Sequence, residues 1–332
     1  MLRTVFSLAI LSLVSPLAAA QLKIVVAGRA GLIADMKQVA PGVTFVEGRP
    51  DNVIREVADA DAFIGEISVD ILRAGKKLKW VHIPSAGVER YRFPELLHSN
   101  ITLTNGKIIQ GPEIADHAFA LLLAMTRGIN RAVAERANEG FSREGWKAIE
   151  LRGKTAVIIG VGGIGSQIAA RASAFGMTVI GVDPKDIPFL PSISYVVKPD
   201  RLDTVLPKAD VVFVSAPHTP QSEKMIGSRQ FELMKRGSYF IAVSRGKLYD
   251  AGALVKALDE KRVSGAGLDV TDPEPLPKGH PLWKFDNVII TPHIATVSDM
   301  VGGRHRELIL ENVARFAKGE PLRNVVDKEK GY

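Results

Sequence analysis

Short β-branched runs and stretches of helical spacing alternate along almost the whole chain. Runs at Leu22–Gly28, Val43–Gly48, Ala62–Glu66, Trp80–Ile83 and Ile101–Asn105 predict five strands, each followed by turn residues or helical spacing. A second series begins at Thr155, with strands predicted at Ala156–Ile159, Thr178–Val182, Val211–Ser215, Tyr239–Val243, Gly265–Val270 and Val288–Thr291. Strands that alternate with helices build mostly parallel sheets covered on both faces, so the pattern predicts an α/β chain with two doubly wound halves. Between the halves, Gly111-Pro112 punctuates the chain and Glu113–Arg127 reads as a long buried helix, with Pro112 near a first turn that needs no N–H there. Arg131–Leu151 is polar and reads as helical, a candidate arm or connector, and a last helix from about Met300 to Lys318 is placed to return to the first half.

The first twenty residues follow a different pattern. Arg3 is their only charge, Val5–Val14 is apolar apart from Ser7 and Ser12, and Pro16 precedes Ala18-Ala19-Ala20. A charged start, a short apolar core and small residues predict a secretory signal peptide over 1–20, without the twin arginine of the alternative export route. Export to the periplasm or outside the cell follows from that reading. Stable membrane insertion does not, because the apolar run is too short to span a bilayer.

Composition narrows the function classes. The 332 residues suffice for two domains, and 46% hydrophobic with 24% charged is the balance of a globular protein. The net charge of +7 is scattered along the chain rather than gathered on one element, which argues against nucleic acid as a partner. The absence of cysteine removes disulfides, thiolate metal sites and cysteine nucleophiles. His82, His98, His280 and His305 lack metal-ligand spacing, so no metal is expected; His117 reads as a packed residue of the apolar helix and His218 as a wall near a cofactor.

Gly160-Val161-Gly162-Gly163-Ile164-Gly165 follows the strand AVII, opens the amphipathic run Ser166–Phe175, and precedes an acidic residue, Asp183, at the end of the next strand. In that context G-x-G-x-x-G is a dinucleotide fingerprint. Gly160 permits the tight turn, a β-carbon at Gly162 would obstruct a pyrophosphate, and Gly165 lets helix and strand approach. The helix N-terminus offers free N–H groups to phosphate, and Asp183 would bind a ribose diol and repel a 2′-phosphate, favouring NAD over NADP. Lys185, close by, is a possible phosphate partner in the other direction.

Arg245, Glu274 and His293 follow strands of the second series, where an open α/β sheet presents its ligand crevice. Reduction of a 2-oxo acid needs a fork to hold the carboxylate, a proton donor near neutral pKa for the carbonyl oxygen, and a carboxylate to orient that donor. Arg245, His293 and Glu274 match those roles in that order. Taken singly each is an ordinary turn residue; their joint presence after the nucleotide motif gives them meaning.

With these motifs the chain resembles the D-isomer-specific 2-hydroxyacid dehydrogenases over nearly all its length after the leader, most strongly from Gly111 to Ala295. GVGGIG, SAPHTP (Ser215–Pro220), VSRG, GAGLDVTDPEPLP (Gly265–Pro277) and HPLWKFDNVIITPHIA (His280–Ala295) carry the resemblance. It implies a Rossmann NAD-binding domain (113–295) inserted into a flavodoxin-like substrate domain formed by 21–112 and completed by the helix of 296–332. It implies catalytic roles for Arg245, Glu274 and His293. Cofactor contacts would come from Gly160, Gly162, Gly163, Ile164, Gly165, Asp183, Ala216, Pro217, Val243, Ser244, Arg245, Asp269 and His293, with Asp269 near the nicotinamide amide. A substrate loop Ser85-Ala86-Gly87-Val88 would hold the substrate carboxylate together with Arg245. A homodimer through an arm, here Arg127–Leu151, is also implied. Ala242 and Ser244 depart from the family's usual asparagine and alanine; a secretory leader is unusual for the family, whose cofactor pool is cytosolic, so the resemblance implies the cytoplasm where the leader implies export.

The reading that follows is an NAD(H)-dependent oxidoreductase interconverting a small 2-oxo acid, such as glyoxylate, hydroxypyruvate or a branched 2-oxo acid, and its D-2-hydroxy acid. Two alternatives stand beside it: an NAD(H)-sensing binding protein of corepressor type, and a dehydrogenase of formate or phosphite.

Overall fold

The computed structural model describes residues 21–141 and 143–332; the leader predicted at 1–20 lies outside them. Two parallel sheets dominate. The first contains β1 (Lys23–Ala27), β2 (Thr44–Gly48), β3 (Ala62–Ile64), β4 (Trp80–His82) and β5 (Thr102–Thr104), in the order β2-β1-β3-β4-β5. The second contains β6 (Thr155–Ile159), β7 (Thr178–Val182), β8 (Tyr195–Val197), β9 (Val211–Val214), β10 (Ser238–Ala242), β11 (Val263–Leu268) and β12 (Val288–Ile290), in the order β12-β11-β10-β9-β6-β7-β8. Central strands such as β6 and β9 are buried along nearly their whole length, which is why they read as unbroken Val and Ile runs rather than alternating ones. Each sheet has an apolar core on both faces.

The chain passes between the sheets twice. The helix Gly111–Thr126 follows the first passage and packs on the helix Gly163–Ala174 so closely that a β-carbon on Gly111 would lie 2.4 Å from the Gly163 carbonyl oxygen. After the second passage the helix Val301–Lys318 returns to the first sheet. Its Ile309 and Val313 complete the core around Ile24, Val26, Met36 and Trp80, and Phe316 lies 5.2 Å from the Trp80 ring. Arg304 clamps the two passages, donating to Glu113 at 2.6 Å and to the Ile109 carbonyl at 2.7 Å. Among the described residues no helix is long and apolar enough to cross a membrane.

Two sequence expectations need correction. Arg131–Leu151 is not a helix: the chain is helical over Ile129–Glu135, makes one tighter turn to Asn138, and leaves helical geometry at Glu139, with φ 53°. Gly140 and Gly145 follow, and the apolar positions after Val133 lose helical spacing. β8 was not predicted. It is a three-residue edge strand beyond the proline-rich stretch Pro184–Pro191, too short to show a period of its own.

Candidate active site

β6 delivers the glycine loop to the carboxyl edge of the second sheet. Gly160 has φ +88°, and a β-carbon there would lie 2.5 Å from Ala216 Cα, so both the turn and the adjacent strand demand glycine. At Gly165 a β-carbon would fall 1.9 Å from the Gly160 carbonyl oxygen, the close approach of helix and strand expected from the motif. Gly163 is pressed instead against the first interdomain passage, with Ile108 Cα 2.5 Å from its would-be β-carbon. Gly162 faces open space, with no atom within 4 Å of a β-carbon built there, at the N-terminus of the helix Gly163–Ala174. That opening and the free helix N-terminus fit a dinucleotide pyrophosphate.

A cavity of about 640 Å³ begins at this opening, lined by Gly160, Gly162, Asp183, Lys185, Ala216 and Pro217 among others. Asp183 is buried. Its Oδ2 accepts from Val161 N at 2.8 Å and its Oδ1 from Lys185 N at 2.8 Å, so the carboxylate also braces the loop. Ser215, missed in the sequence reading, donates to the Gly160 carbonyl at 2.8 Å and pins the loop from β9. His218 does not line the cavity; its ring lies 3.4 Å from Glu223. Val243 and Ser244 are buried after β10, and the Ser244 hydroxyl donates to the Val214 carbonyl at 3.3 Å.

Arg245, Glu274 and His293 follow the neighbouring parallel strands β10, β11 and β12. His293 Nδ1 lies 2.6 Å from Glu274 Oε1, with both side chains partly open to solvent. His293 has φ 55°, a left-handed conformation that costs about 1–3 kcal/mol in a non-glycine residue and persists only where the surroundings enforce it. The enforcing group is Asp269. Its carboxylate, 1% exposed, accepts from the Thr291 hydroxyl at 2.7 Å, from Ile294 N at 2.9 Å and from Ala295 N at 3.0 Å. The His293 loop is thus tied down on both sides of the imidazole. The Thr291 hydroxyl gives its proton to Asp269, so its oxygen accepts from His117 Nε2 at 2.9 Å, which fixes the Nε2–H tautomer of His117.

Arg245 reaches across to the first domain. Its Nε donates to Glu89 Oε1 at 2.9 Å, its NH2 to Glu89 Oε2 at 3.4 Å and its NH1 to the Ser244 carbonyl at 2.7 Å. Two of the guanidinium's five N–H groups remain free of these bonds. The fork lies against the loop Ser85–Val88: a β-carbon on Gly87 would be 1.9 Å from Arg245 NH2. The loop is held by Ser85 Oγ donating to the Gly87 carbonyl at 2.7 Å and by Asn105 Nδ2 donating to the Ala86 carbonyl at 2.5 Å. Glu89 is a site residue that sequence reasoning missed, because its partner lies 156 positions away.

The structure therefore gathers the residues into three groups: the cofactor-sized cavity, the Glu274–His293 pair, and the Arg245 fork on the Gly87 loop. The second and third are joined through the backbone, since Gly246 packs where its β-carbon would be 2.0 Å from the Thr271 carbonyl carbon, and Thr271 N lies 3.4 Å from Glu274 Oε2. None of the three charged residues lines the cavity.

A Rossmann sheet with its glycine loop beside a second parallel-sheet domain defines a two-domain dinucleotide-binding architecture. The family model for the NAD-binding domain of D-isomer specific 2-hydroxyacid dehydrogenases matches residues 119–295. A glyoxylate reductase of Korarchaeum cryptofilum is 34% identical over 289 residues, covering 83% of this chain and 86% of the relative. A D-3-phosphoglycerate dehydrogenase of Methanocaldococcus jannaschii is 32% identical over 87% of this chain, which spans only 55% of that longer protein. A D-isomer specific 2-hydroxyacid dehydrogenase from Xanthobacter autotrophicus, solved with NADPH and MES, shares the fold with TM-score 0.80 at 23% identity, over 94% of this chain and all of that one. The chain belongs to the D-isomer specific 2-hydroxyacid dehydrogenase family, NAD(P)-dependent oxidoreductases acting on CH–OH donors.

Proposed function

We propose that the protein reduces a small 2-oxo acid to its D-2-hydroxy acid with NADH, the substrate lying between the Gly87 loop and the His293 loop. The observation that carries this reading is the Glu274–His293 pair at 2.6 Å, on loops next to an arginine fork that faces a backbone loop of the other domain. When bound, NADH would supply the hydride; Gly160, Gly162, Gly163, Ile164, Gly165, Asp183, Ala216 and Pro217 would hold it, with Val243 and Ser244 beside the ring. Asp183 supports NADH over NADPH, because a buried carboxylate at the ribose end repels a 2′-phosphate.

Each residue then has a task. The two N–H groups of Arg245 left free by Glu89 and Ser244 bind the substrate carboxylate, with help from the backbone N–H groups of Ser85–Val88. His293 donates the proton to the carbonyl oxygen through Nε2, and Glu274 at Nδ1 fixes the ring and stabilises its charged form. Asp269 acts on the His293 loop. Residues 113–295 serve as the cofactor domain, and 21–112 with 296–332 as the substrate domain. A dimer through the segment 127–151 is part of the same reading, supported by the exposed Ile129, Val133 and Phe141. Export through the 1–20 leader is tested by N-terminal sequencing of the mature protein, which should begin near Gln21.

The decisive test is loss of NADH absorbance with a panel of 2-oxo acids, repeated with NADPH. His293→Ala should lower kcat by about 10²–10⁴-fold while NADH binding is kept. Arg245→Ala should raise KM and lower kcat together. Parent rates in both variants on every accepted substrate would refute the assignment.

A further inference from the structure

The cavity at the glycine loop is lined in part by residues remote from it in sequence. Arg92, Glu329, Lys330 and Tyr332 line it together with Gly160, Asp183 and Lys185. The segment that brings them there is fastened to the first domain. Val326 N donates to the Leu103 carbonyl at 2.8 Å, and Lys328 Nζ donates to the carbonyls of Ser99 at 2.5 Å and of Leu96 and Ile101 at 3.1 Å. Arg92 donates to the Lys328 and Glu329 carbonyls at 3.4 Å. The segment is also folded on itself: Gly331 N donates to the Asp327 carbonyl at 2.8 Å, Asp327 N to Tyr332 O at 3.2 Å, and Asp327 Oδ1 accepts from Glu329 N and Lys330 N. It is a built turn anchored on one domain and presented to the other.

What it presents is an aromatic ring. Lys185 Nζ lies 4.2 Å from the centroid of Tyr332, within cation–π range. Lys185 stands two residues beyond Asp183, and its N–H is held by the Asp183 carboxylate at 2.8 Å. It is the cation next to the group expected at the ribose diol, and so is placed to pair with a 2′-phosphate; Arg92 and Lys330 also line the cavity. A second ammonium, Lys107, is near enough that Lys185 adds to burial in holding its pKa below the ordinary lysine range. Lys107 donates to the Val325 carbonyl at 2.6 Å, on the same tail. Lys185 lines the nucleotide cavity and Lys107 lies behind it, outside the lining. The tail engages both: its ring covers Lys185 and its backbone binds Lys107.

We infer that Tyr332 is a cofactor-specificity residue, which holds Lys185 away from a 2′-phosphate and so reinforces the discrimination by Asp183 in favour of the nucleotide without one. The inference rests on the reading of the glycine loop as a dinucleotide site.

The test is equilibrium binding of NADH and NADPH, followed by nicotinamide fluorescence, to the unaltered protein and to Tyr332→Ala, Tyr332→Phe, Lys185→Ala and the Tyr332→Ala/Lys185→Ala double variant. Tyr332→Ala should shift the affinity ratio toward NADPH by about fivefold, the size of one freed cation contact. Tyr332→Phe, which keeps the ring, should leave the ratio unchanged, and the double variant should lose the gain. A ratio in Tyr332→Ala within twofold of the parent overturns the inference, as does a gain that survives removal of Lys185. Failure of the unaltered protein to bind either nucleotide sinks the dinucleotide reading and this inference with it, a pattern distinct from an unshifted ratio.

Discussion

Replacing Asp269 by Asn changes almost nothing in shape and a great deal in hydrogen bonding. The carboxylate accepts three bonds, from Thr291, Ile294 and Ala295, in a position 1% exposed. In its better orientation the amide keeps its oxygen toward Thr291 and Ile294 and turns an NH2 group toward the Ala295 N–H, leaving that donor unpaired. An unsatisfied buried donor costs about 1–3 kcal/mol, and each surviving bond falls from charge-assisted to neutral, a loss of about 1 kcal/mol apiece. The total is about 4 kcal/mol before relaxation. Relaxation is available at a known place, because His293 is held at φ 55° by these same bonds and can return to negative φ once they weaken. The imidazole would then swing away from Glu274. Asp269→Asn should therefore lower the melting midpoint by about 6–12 °C, taking about 2–4 °C per kcal/mol and allowing for relaxation to about 3 kcal/mol. It should also lower kcat by about 10²-fold while NADH binding changes little. Thermal melts by circular dichroism and steady-state reduction of the accepted 2-oxo acid measure both. A variant that melts within 1–2 °C of the parent (about the effect of 0.5 kcal/mol) and turns over at its rate would show that Asp269 does not hold the His293 loop.

Two further outcomes follow from single positions. Gly87→Ala places a β-carbon 1.9 Å from Arg245 NH2 and 2.4 Å from Glu89 Oε2, both ends of flexible side chains, so the fold should tolerate it while the fork is displaced. Stability within about 0.5 kcal/mol of the parent and a KM raised about tenfold or more are expected; an unchanged KM would separate the Gly87 loop from substrate binding. His82 is buried, and burial first, then the charges of His305 and Arg29, push its pKa down to about 3. Its folded value lies below the 6.5 of the unfolded chain, so the stability it contributes is complete above pH 6.5 and drains away as pH falls toward 3. That amounts to about 1.4 kcal/mol per pH unit in this window, and His305, lowered mainly by burial, acts in the same direction. Urea unfolding between pH 5 and pH 6.5 should show a shallower pH slope in His82→Gln, and equal slopes would remove His82 as the source.

Much of this architecture was legible in the pattern of residues, because a parallel strand buried on both faces writes itself as an unbroken apolar run. β6, β7 and β9 are such strands, and their predicted bounds agree with the structure to within a residue. The polar segment after Val133 was misread for the converse reason: with no core face to impose a period, its composition alone suggested a helix, and its glycines ended one. At the site, the Glu274–His293 contact was legible because motif and strand order bring the two loops side by side. The Asp269 anchor was not. The residue was expected beside the nicotinamide amide, and the three bonds that it makes to 291–295 are a matter of backbone direction that no spacing encodes. Glu89 and Tyr332 were invisible in the same way, since each gains its meaning from a partner in the other domain.

The helix Val301–Lys318 has a consequence for how the protein is made. It supplies Ile309, Val313 and Phe316 to an apolar layer whose other buried members, Ile24, Val26, Met36 and Trp80 among them, come from the first quarter of the chain. While the ribosome is still building the Rossmann half, one face of the first sheet is covered only by the helix Ile33–Val39 that carries Met36. The middle of the polypeptide can mature on its own schedule, but the amino-terminal portion must wait for the last helix to emerge, exposing a greasy surface in the interval. A nascent chain arrested shortly before Val301 should therefore be resistant to protease in its middle and sensitive at its beginning.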